Sequence, residues 1–119
     1  MKNFKQLTVW QKAIYLVKTT YLITRKLPRD ERFGLTSQMQ RAAVSIPLNI
    51  AEGSGRSSDK EYKRFLEIAL GSAYELETQL IIVQELEMWS ADSLKTANEL
   101  LTEVQRMLST FIKKLTTDK

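Results

Sequence analysis

The chain contains no cysteine and no histidine among its 119 residues. Without cysteine it can form no disulfide and no reactive thiolate, which fits a cytoplasmic protein. Without histidine it lacks the commonest general base and the commonest transition-metal ligand. The Glu-x-x-His pairs of di-iron bundles are excluded, and a zinc site would need acidic ligands alone. We expect no metal site, no other cofactor and no small-molecule substrate.

Proline, glycine and long apolar runs are also scarce. With two prolines and four glycines, the chain is not expected to contain long disordered segments. No apolar run approaches the roughly 20 residues of a membrane span. The N-terminal residues are basic but have no apolar run behind them, so they do not predict a secretory signal. The length and a hydrophobic content of 43% indicate one domain over residues 1–119.

What the sequence does contain is helical periodicity, beginning with a segment from Thr8 to Lys26. Pro28 ends this segment, because the residue before a proline avoids helical geometry. Two apolar stripes run along it. The stripe assigned to the core comprises Leu7, Trp10, Ile14, Val17, Tyr21 and Thr24. The second stripe, assigned to surplus surface, comprises Val9, Ala13, Leu16, Ile23 and Leu27.

The second helical segment runs from Thr36 to Gly53 and contains a proline. Pro47 has no amide hydrogen, and its ring crowds the carbonyl of Ala43. Because the periodicity continues beyond Pro47, we predict one continuous helix that is kinked there. Two short helices are the alternative. The apolar stripe comprises Met39, Ala42, Ala43, Ile46 and Ile50.

The third segment follows a glycine-containing turn at residues 53–55 and runs to about Met88. Ser58 and Glu61 have the spacing of a capping box at its start. Gly71 lies inside it, where a glycine costs roughly 1 kcal/mol, and we expect close approach of another helix to compensate. The core stripe comprises Tyr62, Leu66, Ala69, Ala73, Leu76, Leu80 and Val83, and surplus apolar residues are Ile81, Ile82 and Leu86.

The fourth segment has Ser90 as its N-terminal cap and an unbroken apolar stripe. The stripe comprises Leu94, Ala97, Leu101, Val104, Leu108, Phe111 and Leu115. Four amphipathic segments with short connections predict an all-α fold, an antiparallel up-down-up-down four-helix bundle. The surplus apolar surface on the first and third helices predicts a homo-oligomer. A monomer with a thick core is the alternative.

Charge is distributed unevenly along the chain. Residues 1–64 carry thirteen Lys and Arg against five Asp and Glu, a balance of +8. Residues 65–110 carry two against eight, a balance of −6, and the remaining tail adds +2. Either the two halves attract each other, or the basic half meets an acidic partner such as nucleic acid.

Two surfaces are candidate sites, and neither has a catalytic constellation. The first is a polar stripe on one face of the second helix, which indicates a subunit interface, an RNA-binding surface or a solvated face. It comprises Gln38, Arg41, Ser45, Asn49, Glu52 and Arg56. The second is a basic segment at the start of the third helix, where free amides attract anions. The predicted nucleic-acid-binding residues are Arg41, Arg56, Lys60, Lys63 and Arg64, with Lys12 and Lys18 as extensions. An ordinary soluble helix start is the alternative for this segment.

Several motifs resemble one protein family over nearly the whole chain. The central motifs are Phe33-Gly34-Leu35-Thr36-Ser37-Gln38, Arg41-Ala42-Ala43-Val44-Ser45-Ile46-Pro47 and Asn49-Ile50-Ala51-Glu52-Gly53. The flanking motifs are Val9-Trp10-Gln11-Lys12-Ala13, Phe65-Leu66-Glu67-Ile68-Ala69-Leu70-Gly71-Ser72 and Glu75-Leu76-Glu77-Thr78-Gln79-Leu80. Together they resemble the four-helix-bundle proteins encoded in intervening sequences of 23S ribosomal RNA genes. One departure is Gln40, where the family often has arginine.

The resemblance implies a four-helix bundle that assembles as a homopentamer, and it transfers no catalytic residue. A related group, the accessory proteins of diversity-generating retroelements, binds nucleic acid and a reverse transcriptase. We therefore predict a non-enzymatic homo-oligomer that binds structured RNA or DNA through a basic surface. The alternative is a protein-interaction scaffold whose basic surface meets an acidic protein.

Overall fold

The computed structural model describes residues 3–117, and these residues form helices and no strand. The helices are α1 (Thr8–Thr24), α2 (Leu35–Ser54), α3 (Asp59–Glu85) and α4 (Lys95–Thr117). Single 3-10 turns at Phe4–Gln6 and Arg29–Glu31 precede α1 and α2. The all-α fold and the four-helix bundle are therefore confirmed. Over the described part of the chain, no helix is both long and apolar enough to cross a membrane.

Each helix packs against two others, and the backbones of the diagonal pairs lie farther apart. The packed pairs are α1 with α2, α2 with α3, α3 with α4, and α4 with α1. Between α2 and α3, Gly53 lies against Tyr62 and Ser45 lies against Ser72. The C-terminal part of α2 thus contacts the N-terminal part of α3, and earlier residues of α2 contact later residues of α3. This pair is therefore antiparallel. The up-down-up-down order of the whole bundle stays a prediction.

The second helix continues through its proline. Because α2 is unbroken from Leu35 to Ser54, the alternative of two short helices is excluded. The kink at Pro47 stays a prediction. The apolar stripe predicted for this helix is fully buried in the core, with Met39, Ala43, Ile46 and Ile50 all at 0% exposure.

The first helix corrects the sequence prediction, because the stripe assigned to surplus surface is buried. Its residues Val9, Ala13, Leu16, Ile23 and Leu27 all lie in the core. The stripe assigned to the core is divided. Thr24 is buried, Leu7, Trp10 and Val17 are partly buried against the core, and Ile14 and Tyr21 are 43% and 39% exposed. Buried Thr20 completes the true core stripe, and its hydroxyl donates to the Leu16 carbonyl at 2.8 Å. A helical threonine thereby satisfies its own polar group inside an apolar core.

The expectation for Gly71 is also wrong. A Cβ added at Gly71 would meet nothing within 4 Å, so no helix of this chain approaches it. The close approach occurs instead at Gly53, where a Cβ would lie 2.9 Å from Phe65 Cβ and 2.9 Å from Tyr62 Cδ1. Gly53 therefore lets the last turn of α2 contact the first turns of α3.

Helix ends follow the capping signals at some positions and depart from them at others. The Ser58 hydroxyl accepts a hydrogen bond from the Glu61 amide at 3.2 Å, as the capping spacing predicts. Ser90 caps a turn at residues 91–94, so α4 itself begins later, at Lys95. The third helix ends at Glu85 rather than near Met88. There Glu87 has φ 58°, and the Met88 amide donates to the Val83 carbonyl at 3.0 Å.

Candidate nucleic-acid interface

Basic side chains from two helices meet at one end of the bundle. The start of α3 lies beside the end of α4, because the rings of Tyr62 and Phe111 pack edge to face with centroids 5.2 Å apart. This contact brings the lysines and arginine of the first turns of α3 close to the lysines of the last turns of α4. We call this surface the basic end, and it comprises Arg56, Lys60, Lys63, Arg64, Lys113 and Lys114.

Most of these cations have no carboxylate partner among the residues that the structure describes. Within residues 3–117, the ion pairs are Lys12 with Glu103 at 3.0 Å and Arg56 with Glu52 at 2.7 Å. The lysines of the basic end and Arg64 therefore present their charge to the solvent, with only Lys63 half-buried. Asp59 and Glu61 are the acidic residues of the same region. The local excess of positive charge attracts phosphates.

Arg56 is held more firmly than the other basic side chains. Its guanidinium bonds to the Glu52 carboxylate and lies over the Phe65 ring, 4.7 Å from the ring centroid. Stacking on a ring leaves the edge of the guanidinium free for further hydrogen bonds. Glu52 cancels part of the charge of Arg56. Arg56 therefore lies at the edge of the basic end and adds less positive charge to it than the unpaired lysines do.

A groove with an apolar floor opens beside the basic end. Leu7, Met107 and Phe111 line it, together with the buried Leu115. Its charged and polar lining comprises Asp59, Arg106, Thr110 and Lys114. The groove therefore combines apolar area with two cations, a combination suited to a partner that carries apolar and acidic side chains together.

The remaining predicted basic residues do not join this surface. Arg41 lies 13 residues before Ser54 in α2, about 20 Å along the helix at 1.5 Å per residue. There it lines a separate shallow groove with Tyr21 and Leu48. Lys12 pairs with Glu103 of α4, and Lys18 is exposed on α1. The structure thus divides the predicted binding residues among three places: the basic end, the groove at Arg41, and α1 with Lys12 and Lys18.

The central residues of the polar stripe of α2, Ser45 and Asn49, are half-buried rather than exposed. The Ser45 hydroxyl and the Ser72 hydroxyl of α3 lie 2.8 Å apart, and Ser72 is buried. The Asn49 side-chain amide donates to the Ser45 carbonyl at 2.8 Å and to its hydroxyl at 3.0 Å. Ser45 therefore links α2 to α3 within one chain, and Asn49 holds Ser45 from its own helix. Gln38 at one end of the stripe is exposed, and Glu52 at the other end pairs with Arg56.

Sequence reasoning missed Lys113 and Lys114 as members of the site. They follow Lys60 by more than 50 positions, and their charge was counted only as a separate tail. The signal was available, because an antiparallel pair of consecutive helices places the end of the second beside the start of the first. Combining the charge count with this topology identifies the basic end.

The fold and the site together define a class, a small four-helix bundle with one basic end. A family model for the 23S rRNA-intervening sequence proteins matches residues 5–110, and the chain belongs to this family. A solved structure, from Bacteroides thetaiotaomicron, is described as a protein of unknown function from the S23 ribosomal protein family. It is 25% identical with a TM-score of 0.83, over 89% of this chain and 99% of that chain. No curated protein matches the chain.

Proposed function

We propose that the protein is a non-enzymatic cytoplasmic homo-oligomer that binds structured nucleic acid, RNA first of all, through its basic end. Five copies in the assembly is the number that the family resemblance implies. The observation that carries the binding proposal is the basic end itself. Five of its cations, from two helices, have no carboxylate partner within the described residues.

The layout of charge along the bundle supports the same proposal. The described chain extends 47 Å along its longest axis. Two explanations were predicted for the uneven charge. Attraction between the basic half and the acidic half of the chain accounts for one ion pair between helices within the described residues, Lys12 with Glu103. The other basic side chains of the first half remain available for a partner. Phosphates fit, because lysine and arginine bind them without reading a base sequence.

The family name adds a second line of support. The family is described by its link to 23S rRNA, which makes structured RNA the first ligand to test. Affinity built from phosphate contacts falls with salt, with a slope of about 0.7 to 0.9 per contact in log–log form. A hairpin RNA and a duplex DNA of equal length would show how far shape contributes.

The test is fluorescence anisotropy of a labelled RNA hairpin from about 50 to about 200 mM salt. The wild-type chain is expected to bind, and its affinity is expected to fall steeply with salt. The triple variant Lys60→Ala, Lys63→Ala, Arg64→Ala is expected to bind more weakly on every sequence. Its log–log salt slope should be shallower by about 2 to 3, since three phosphate contacts are lost.

A matched control removes the same charge from the other end of the bundle. Arg29, Arg32 and Lys95 are exposed there, and their replacement by alanine is expected to leave the salt slope unchanged. The proposal fails if the wild-type chain shows no binding at low salt. It also fails if the control variant loses as much affinity as the triple variant.

An acidic protein partner is the second candidate, and the groove beside the basic end favours it. Its apolar floor at Met107 and Phe111 is not needed for phosphate binding. Met107→Gln changes the floor and keeps every charge. Nucleic-acid affinity is expected to stay constant in this variant, whereas an acidic amphipathic peptide that uses the groove should lose affinity.

A further inference from the structure

Two apolar surfaces of the bundle are exposed on two diagonal helices, α1 and α3. On α1, one side exposes Ile14, Tyr15, Tyr21 and Leu22 at 39% to 59%. We call this surface, together with Lys18 and Arg25, the α1 face. On α3, the outer side exposes apolar residues at 40% to 59%. We call this surface the α3 face, and it comprises Ile68, Tyr74, Ile81, Ile82 and Leu86 with Glu67, Glu75 and Glu85.

The two faces carry opposite charge, and each carries one sign only. Helix α1 has no Asp or Glu, and its exposed face places Lys18 between its apolar residues. Helix α3 has no Lys or Arg after Arg64, and its exposed face places three glutamates between its apolar residues. None of the charged residues on the two faces has an ion-pair partner within residues 3–117. The faces therefore match in apolar character and are complementary in charge.

The position of the faces prevents a chain from covering its own. Helices α1 and α3 are diagonal in the bundle, so their outer faces point to opposite sides. A contact between the α1 face and the α3 face therefore requires a second copy. Because the two surfaces differ, such a contact is heterologous, and it repeats from copy to copy.

A mid-helix glycine marks the centre of the α3 face. Gly71 lies between Ile68 and Tyr74, is exposed, and has no neighbouring atom that an added Cβ would meet within 4 Å. The bare backbone leaves a shallow notch between the flanking apolar side chains. A large side chain from a facing helix fits over such a notch, since only glycine lets it reach the backbone.

The apolar surface of the α1 face continues onto the neighbouring helix. Tyr21 lines a shallow groove with Val44 and Leu48 of α2, and Leu48 is 62% exposed. Arg41 is the charged residue of this groove. The basic character of the α1 face is thus extended, which accounts for the position of Arg41 far from the basic end.

We propose that the α1 face of one copy docks against the α3 face of the next. This inference rests on the homo-oligomeric part of the proposed function and names its contact surface. Apolar side chains supply the buried area, and the opposite charges select α1 against α3 over α1 against α1 or α3 against α3.

The test reverses the charge of each whole face, so that it does not depend on which residues are paired. One variant carries Lys18→Glu and Arg25→Glu. The other carries Glu67→Lys, Glu75→Lys and Glu85→Lys. In either variant alone both faces have the same sign, and the dissociation constant between copies is expected to rise at least about tenfold. The variant with all five substitutions has opposite signs again and is expected to return to within about threefold of wild type.

The mass of the assembly is measured by light scattering against concentration, with circular dichroism to verify that each variant is helical. Glu99→Lys on the exposed side of α4 is the control and should leave the mass unchanged. The inference is overturned if the wild-type chain has the 13.7 kDa mass of one chain at tens of micromolar. It is equally overturned if the combined variant stays as dissociated as its parents.

These outcomes are separate from those of the nucleic-acid proposal. Ile82→Asp places a charge among the apolar residues of the α3 face, far from the basic end, and is expected to give single chains. Anisotropy on this variant and on the wild type measures RNA binding independently of assembly. Assembly without RNA binding rejects the nucleic-acid part of the proposed function alone. RNA binding by a monomeric wild type rejects the docking surface together with the homo-oligomeric part and leaves the nucleic-acid part standing. An assembly that the charge reversals do not follow rejects the docking surface alone.

Discussion

Tyr62 carries a buried hydroxyl that has no hydrogen-bond partner among residues 3–117. Burial raises the pKa of this hydroxyl above its ordinary value of 10.0, because a phenolate is poorly solvated in the core. Above pH 10 the unfolded chain therefore loses this proton before the folded chain does. Because folding and proton binding are linked, the stability contributed by Tyr62 is complete below about pH 10 and falls as the pH rises further.

Tyr62→Phe is expected to remove this alkaline loss of stability. At neutral pH it should change the free energy of unfolding by no more than about 1 kcal/mol, since the hydroxyl that is removed is unpaired. Urea unfolding at neutral pH and above pH 10 measures both effects. Tyr15→Phe, at a site that is 59% exposed, is the control. Equal alkaline slopes for Tyr62→Phe and wild type would contradict the assignment.

Glu87 ends α3 in the left-handed conformation, with φ 58°. The amides of Glu87 and Met88 donate to the carbonyls of Gln84 and Val83, both at 3.0 Å. This is the hydrogen-bond pattern of a Schellman cap, in which glycine is the usual residue. Because glutamate occupies the position, the sequence contains no stop signal there, and periodicity alone extended the helix to Met88.

Glu87→Gly is expected to raise the free energy of unfolding by about 0.5 to 1 kcal/mol, because glycine adopts this conformation without a Cβ clash. Glu87→Ala removes the same carboxylate and keeps the Cβ, so it should give no gain. Chemical denaturation of the three chains side by side measures the difference. Equal stability for the alanine and glycine variants would show that the backbone at residue 87 is unstrained.

At the scale of the helix, Gly53 determines how closely α2 and α3 approach. Gly53→Ala would place a Cβ 2.9 Å from both Phe65 Cβ and Tyr62 Cδ1. The overpacking is expected to cost about 1 to 3 kcal/mol in the free energy of unfolding, and the higher helix propensity of alanine returns about 1 kcal/mol, so the net change is a loss of up to about 2 kcal/mol. Gly55→Ala is the control, since its Cβ would meet only the Glu52 carbonyl at 3.7 Å. If both variants have the same stability, the helices have room to separate.

The core stripes predicted for α2, α3 and α4 are the buried ones, and α1 differs from these three helices. In α2 and α4 one apolar stripe is clearly stronger than any other, and in α3 the stripe assigned to the core is the buried one, so the periodicity decides the buried side. In α1 two stripes of similar hydrophobicity compete, and the true one includes Thr20. A threonine counts as polar in a sequence, although its hydroxyl is satisfied by the Leu16 carbonyl. The sequence therefore predicted the helix and not the side that it buries.

Gly71 and Gly53 show that the sequence also does not predict where two helices approach each other closely. Either glycine is compatible with a close approach, and only the register between helices decides which one is used. The register follows from long-range contacts such as Ser45 with Ser72, which a single sequence does not specify. Ser45 and Asn49 were predicted as members of the polar stripe on α2, but the contact of Ser45 with Ser72 became visible only in the fold.

At the scale of the molecule, the basic end joins residues that are far apart in the sequence. Lys113→Ala with Lys114→Ala is expected to weaken RNA binding and to make the log–log salt slope shallower by about 1 to 2. Lys12→Ala with Lys18→Ala removes the same charge from α1 and should have a smaller effect. Anisotropy over a salt series measures both. A larger effect for the α1 pair would move the binding surface away from the basic end.

The two ends of the described chain also meet at this surface, since Leu7 and Leu115 line the same groove. A short peptide that joined residues near these positions would cross the basic end, and the chain could be opened at residues 86–90 on the far side. Such a circular permutant should keep the bundle, because the packed helices and their neighbours stay the same. For the same reason, a purification tag fused next to residue 7 or residue 115 would lie beside the basic end. An attachment point at Phe33, which is 89% exposed at the opposite end, leaves that surface free.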